Sequence, residues 1–85
     1  MSKIMALRMG NKRVVDSDGG EIGLFHNVVA EDATGLLREL VVKPADELDL
    51  SRFKKESGYI FIPFDAVTAV KDVIVVDSEK MRARA

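Results

Sequence analysis

Turn-forming residues cut this chain into apolar segments of strand length, and that punctuation decides what it can fold into. Ser17-Asp18-Gly19-Gly20 and Asp32-Ala33-Thr34-Gly35 place glycines where a tight reversal needs a positive φ. Pro44 stops a third segment, and Gly58 opens a fourth. Pro63 marks an edge or a bend, because it cannot donate to a ladder. Lys71-Asp72 separates the last two segments. Between these signals lie Arg13 to Asp16, Glu21 to Glu31, Leu36 to Lys43, Tyr59 to Phe64, Asp65 to Val70 and Val73 to Val76. They are dense in the β-branched and apolar types that fill strands. No stretch carries a long amphipathic helical period. About six short strands at close spacing predict an all-β fold, a small barrel or rolled sheet whose curvature hides strand edges.

Two stretches depart from the strand pattern. Residues 44–57 are charged and do not alternate, so a long loop with one helical turn is expected there. The tail 78–85 has Ser78 as a helix cap but is too short to hold a helix alone, and it should fray unless it docks. With 85 residues the chain makes a single domain, residues 1–85, with its body over 13–77.

A domain of this size buries a modest share of its surface and usually needs added support. The sequence contains no cysteine and one histidine, which removes disulfides, thiolate metal sites and histidine-rich metal sites. A well-packed core, a partner subunit, or both must supply the stability. Thirteen basic residues stand against fourteen acidic ones, without the basic excess that phosphate neutralisation rewards. No apolar run reaches transmembrane length, and Met1 to Arg8 lacks a signal-peptide core, so a cytoplasmic protein without membrane insertion is expected.

The predicted core contains Ile22, Phe25, Val29, Leu37, Leu40, Val42, Ile60, Ile62, Val67, Val70, Val73 and Val75. Alternation makes both faces of the Glu21–Glu31 segment apolar. Phe25 and Val29 share one face; Ile22, Leu24, His26 and Val28 share the other. A strand of an isolated small barrel should keep one wet face, so either the loop or the tail covers this strand and buries it, or Ile22, Leu24, His26 and Val28 form a candidate protein interface, with a second copy or with another partner. Arg52, Phe53, Lys54 and Lys55 set an aromatic among three cations, a candidate partner-binding loop able to meet an acidic protein or to stack on RNA bases. Phe53 tucked against the barrel is the simpler reading.

No catalytic residue, cofactor site or metal site is assigned. His26 has no evident orienting partner for acid–base work. Asp16, Asp18, Glu21, Glu31 and Asp32 lack the patterned loop of a calcium site and read as solvated turn acids. The glycines of Gly19-Gly20-Glu21-Ile22-Gly23 lead into a strand, where a phosphate cradle would lead into a helix.

Two stretches together resemble the PRC-barrel family. Gly20-Glu21-Ile22-Gly23, Asp32-Ala33-Thr34-Gly35 and Leu40-Val41-Val42 resemble its G-x-x-I-G opening, D-x-x-T-G turn and L-V-V strand. Ile60 to Val67 and Val70 to Val75 resemble its apolar strand, I-P step and final strand after an acidic turn. Phe25, Asn27 and Lys71 depart from the family's more usual valine, aspartate and glycine. The resemblance, to the short stand-alone archaeal type, implies a β-barrel adaptor with no general catalytic residue. It further implies homodimerisation and, for some archaeal members, a role in cell division through the membrane anchor of the FtsZ ring. The expected function is therefore a protein-binding adaptor or scaffold, recruited to the division site through its partner. An RNA- or ribosome-associated maturation factor, by similarity to the ribosome-maturation members, is the alternative.

Overall fold

The computed structural model describes residues 12–81. Seven strands form one sheet: β1 (Arg13–Asp16), β2 (Glu21–Ala30), β3 (Leu37–Pro44), β4 (Lys54–Glu56), β5 (Tyr59–Pro63), β6 (Val67–Val70) and β7 (Val73–Val76). Their order across the sheet is β4-β5-β3-β2-β1-β7-β6. All neighbours are antiparallel except β1 and β7, which run parallel. Each strand from β1 to β3, together with β5 and β7, sends one set of side chains into a common apolar cluster. That cluster unites Val14, Ile22, Leu40, Val42, Ile60, Ile62, Ile74 and Val76. Residues from opposite ends of the strand order meet in it, so the sheet is rolled. Among the described residues it stops short of closure, with β4 and β6 at its edges. The fold is thus an all-β, barrel-like domain, as the turn spacing predicts.

Turn chemistry fixes the hairpins. At the β1–β2 reversal the Asp16 carboxylate accepts the Asp18 and Gly20 N–H groups at 2.8 and 2.9 Å. At the β2–β3 reversal Gly35 takes φ +73°, and its N–H donates to Glu31 O at 2.7 Å. Thr34 adds a hydroxyl bond to the Glu31 carboxylate at 3.0 Å. These are the second-residue roles that Asp, Thr and Gly take in turns. Gly23 serves packing: a Cβ built there would lie 2.0 Å from Lys43 O, so β2 and β3 can approach only with no side chain at this position.

The expected helical turn in 44–57 is the 3-10 turn at Leu50–Arg52, but several expectations need correcting. The same stretch holds a seventh strand, β4, which pairs with β5 through Lys54, Lys55 and Glu56. Phase is inverted in the last strand. Ile74 and Val76 are fully buried, while Val73 and Val75 are only half-buried. Its parallel register with β1, Val14 against Ile74, sets that phase. Val29 is 37% exposed and lies outside the core, and Leu37 is half-buried. The tail turns back over the domain. Asp77, rather than Ser78, caps it by accepting the Glu79 and Lys80 N–H groups, and these bonds hold its carboxyl below the usual range. Met81 is buried in the apolar cluster, which docks the tail as far as it is described.

Candidate protein-interaction surface

The interface reading rests on strict alternation along β2, and β2 breaks it. Phe25 pairs with Val42 but Asn27 pairs with Val41, leaving His26 as the extra residue of a β-bulge. The bulge shifts the side-chain phase by one. It puts Phe25 and Val28 on the same side, and a second irregularity opposite β1, where Val14 pairs with Gly23 and Val15 with Glu21, leaves Ile22 on that core side too, while Leu24 and His26 point away from it. Of the four candidate residues, Ile22 is 1% exposed and cannot touch a partner, and Val28 leans on the core. Leu24, 49% exposed, and His26, also exposed, remain on the outer face.

The structure adds neighbours to those two. Phe61 lies opposite both Val41 and Lys54, and Tyr59 lies opposite Glu56. With Ile60 and Ile62 buried, the other side chains of β5, Tyr59 and Phe61, stand on the outer face. The His26 ring crosses β3 to stack on Tyr59, with centroids 4.2 Å apart and planes 20° from parallel. That distance lies just inside the closest spacing usual for aromatic pairs. Beneath, Val41 is only 7% exposed although it lies opposite Phe61 on the outer face. The His26–Tyr59 stack and Phe61 thus stand together on the outer face over a buried Val41, with the exposed Leu24 on the same face between Arg13 and Lys43. Covering one such large side chain contributes about 1.5–3 kcal/mol when burial is complete, less in proportion for those already half-buried.

Charges frame the patch. Lys54 Nζ lies 5.3 Å from the Phe61 ring centroid and donates to both Glu39 carboxylate oxygens at 3.2 Å. Beside Leu24, Arg13 pairs with Glu21 at 3.0 Å. These exposed pairs add little stability, but an apolar centre with a polar rim is the anatomy of protein interfaces.

The loop candidates disperse. Phe53 is 6% exposed and belongs to the core, so it is absent from the surface on which a base could stack. Arg52 is exposed, Lys54 turns to Phe61, and Lys55 donates to Leu50 O at 3.3 Å. Nearby, Asp49 accepts the Ser51 N–H at 3.0 Å, which holds its carboxyl below the usual carboxylate range. An open depression of about 580 Å³ lies beside it, lined by Glu21, Asp46, Glu47 and Asp49. Among the described residues no three His, Asp or Glu side chains are grouped to hold a metal ion. None of the described helices is long and apolar enough to cross a membrane.

Tyr59, Phe61 and Val41 escaped the sequence reading of the interface. Their signal was present in Tyr-Ile-Phe-Ile-Pro: once Ile60 and Ile62 are assigned to the core, period two sends both aromatics outward.

Fold and surface together define a small rolled-sheet domain with an aromatic face on one flank. Residues 8–82 match the PRC-barrel domain family, and the chain belongs to it. It is similar to an uncharacterized protein of Methanocaldococcus jannaschii, 30% identical over 81 residues that span 95% of this chain and 89% of that protein.

Proposed function

We propose that this PRC-barrel protein is a non-enzymatic adaptor. In this reading it acts as a homodimer in the cytoplasm and holds a partner protein against the outer face of β2, β3 and β5. The observation that carries this reading is the patch of Leu24, His26, Tyr59 and Phe61, exposed or half-exposed, with a charged rim. A binding role is favoured over catalysis because His26, the one histidine, is spent on a surface stack with Tyr59. Resemblance to the stand-alone archaeal members suggests a partner in archaeal cell division; the archaeal relative adds only that the family occurs in archaea. That partner is the membrane anchor of the FtsZ ring, which would bring this protein to the division site without any membrane insertion of its own.

Calorimetric titration of the purified anchor with this protein tests the reading. Saturable binding that Phe61→Glu abolishes supports it. Absence of binding to the anchor, with recovery of ribosomal particles instead, would replace it with the ribosome-maturation alternative. The burial of Phe53 weighs against that alternative, since it withdraws the loop's only aromatic from RNA.

A further inference from the structure

Strand pairing lines up one row of side chains across the outer face. Arg13 lies opposite Leu24, and Leu24 lies opposite Lys43. Val42 pairs with Ile60, so the next step along β3 and β5 sets Lys43 against Tyr59, which in turn pairs with Glu56. The row therefore reads Arg13, Leu24, Lys43, Tyr59, Glu56, with neighbours about 5 Å apart, the spacing of paired strands. Lys43 stands in its middle, between the exposed Leu24 and the ring that stacks on His26.

The other cations of this face already have anions. Arg13 is paired with Glu21, and Lys54 with Glu39. Lys43 is exposed and takes part in none of the ion pairs among the described residues. All fourteen Asp and Glu residues of the sequence lie between positions 16 and 79, inside the described span. No further acidic side chain of this chain is left to neutralise it.

A partner that covers Leu24 and Tyr59 also covers the position between them. An ammonium withdrawn from water without an anion is strongly unfavourable. A wholly apolar partner is therefore a poor match for this row, and one that brings an anion to its centre is a good match. The surroundings select the kind of anion. Nucleic acids and anionic membranes gain from several unpaired cations. Here Arg13 and Lys54 are paired, and Glu56 stands at the end of the row. A single carboxylate set among apolar side chains fits this arrangement.

We propose that Lys43 is the charge-reading residue of the docking face. The partner segment seated there presents one aspartate or glutamate flanked by apolar side chains, its carboxylate on Lys43 and its apolar neighbours on Leu24 and Tyr59. The inference rests on the adaptor reading and gives that partner a chemistry.

Selection of a phage-displayed random-peptide library on the immobilised full chain tests it, with enriched peptides resynthesised and measured by calorimetry. Lys43→Met keeps the side chain's length without its charge, and Lys43→Glu reverses the charge. The site is exposed, so both variants should fold, as circular dichroism can check. Peptides enriched on the wild type should carry Asp or Glu between apolar residues. They should bind Lys43→Met at least about tenfold more weakly, as truncating one member of a covered charge pair does. Selection on Lys43→Glu should enrich Lys or Arg at the same place. No enrichment on the wild type, no acidic preference, or equal binding to Lys43→Met overturns the proposal. Peptides without acidic preference that Phe61→Glu no longer binds would leave the aromatic face as a docking surface, with the Lys43 ammonium reaching past the partner into water. Acidic peptides that need Lys43 but are indifferent to Phe61→Glu would retain the carboxylate contact and remove the adaptor face.

Discussion

Gly23→Ala should be among the most damaging single-methyl additions this domain can receive. The new Cβ would lie 2.0 Å from Lys43 O, 2.9 Å from Lys43 C and 3.0 Å from Pro44 Cα, all backbone atoms. An ordinary carbon–oxygen approach is about 3.3 Å or more, so the strands must part locally by roughly 1.3 Å. Hydrogen bonds do not survive that displacement, since their heavy-atom distances span only about 2.7–3.2 Å. The bond from Ala45 N–H to Ile22 O, now 2.9 Å, and the ladder at Leu24 and Lys43 lie within the affected stretch. Losing two or three such bonds, at about 1 kcal/mol each, and loosening the core at Ile22 and Val42 costs about 3–5 kcal/mol. That is a large share of the roughly 4–13 kcal/mol expected for a domain of this length. Urea unfolding followed by far-ultraviolet circular dichroism measures it. Gly35→Ala is the control, because φ is +73° there and no atom lies within 4 Å of the added methyl. The control should lose only about 1–2 kcal/mol, the cost of a left-handed residue with a side chain. Equal losses in the two variants would refute the close-approach argument for Gly23.

Three further outcomes follow from the same structure. Ile60→Ala, at a fully buried site, should lower stability by about 2–5 kcal/mol in urea unfolding, shifting the midpoint more than the slope. Leu24→Ser, at a half-exposed site, should change the unfolding midpoint by no more than about 0.5 kcal/mol equivalent while weakening anchor binding in calorimetry. The Asp77 carboxyl is held low by the Glu79 and Lys80 N–H groups. Its contribution is therefore fully present above the unfolded carboxylate pKa and lost as pH falls through the lower folded value. Acid titration below the ordinary aspartate range should release Met81, seen as faster amide exchange at Met81. Asp77→Asn should remove that pH dependence.

The architecture was legible where local chemistry speaks for itself. Asp16 with Gly19 and Gly20, and Thr34 with Gly35, announced both hairpins, because their side chains and backbone freedom make the turns. Ile60 and Ile62 were placed in the core by alternation around two aromatics. Alternation failed where a neighbouring strand sets the phase. Two irregularities decide the phase of β2, Ile22 as the extra residue opposite β1 and His26 as the extra residue opposite β3, and together they leave Ile22 and Val28 inward and Leu24 outside. Val73 to Val76 is uniformly apolar, so only pairing with β1 decides that Ile74 and Val76 face the core. Lys54-Lys55-Glu56 has the composition of a loop, and becomes a strand because β5 offers it a ladder. Of the candidate interface, Leu24 and His26 were legible. Tyr59, Phe61 and Val41 joined them only when the rolled sheet brought β5 beside β3 and β3 beside β2.

In the proposed adaptor, a partner protein docks on the outer face of β2, β3 and β5. Amide chemical shifts of this protein, recorded while the purified division-ring anchor is added, test it most directly. Perturbations should concentrate at Leu24 to Asn27, Val41, and Tyr59 to Phe61. Perturbations confined to the Asp46–Arg52 loop and the Ser17–Gly20 turn, with those face residues unmoved, would contradict it.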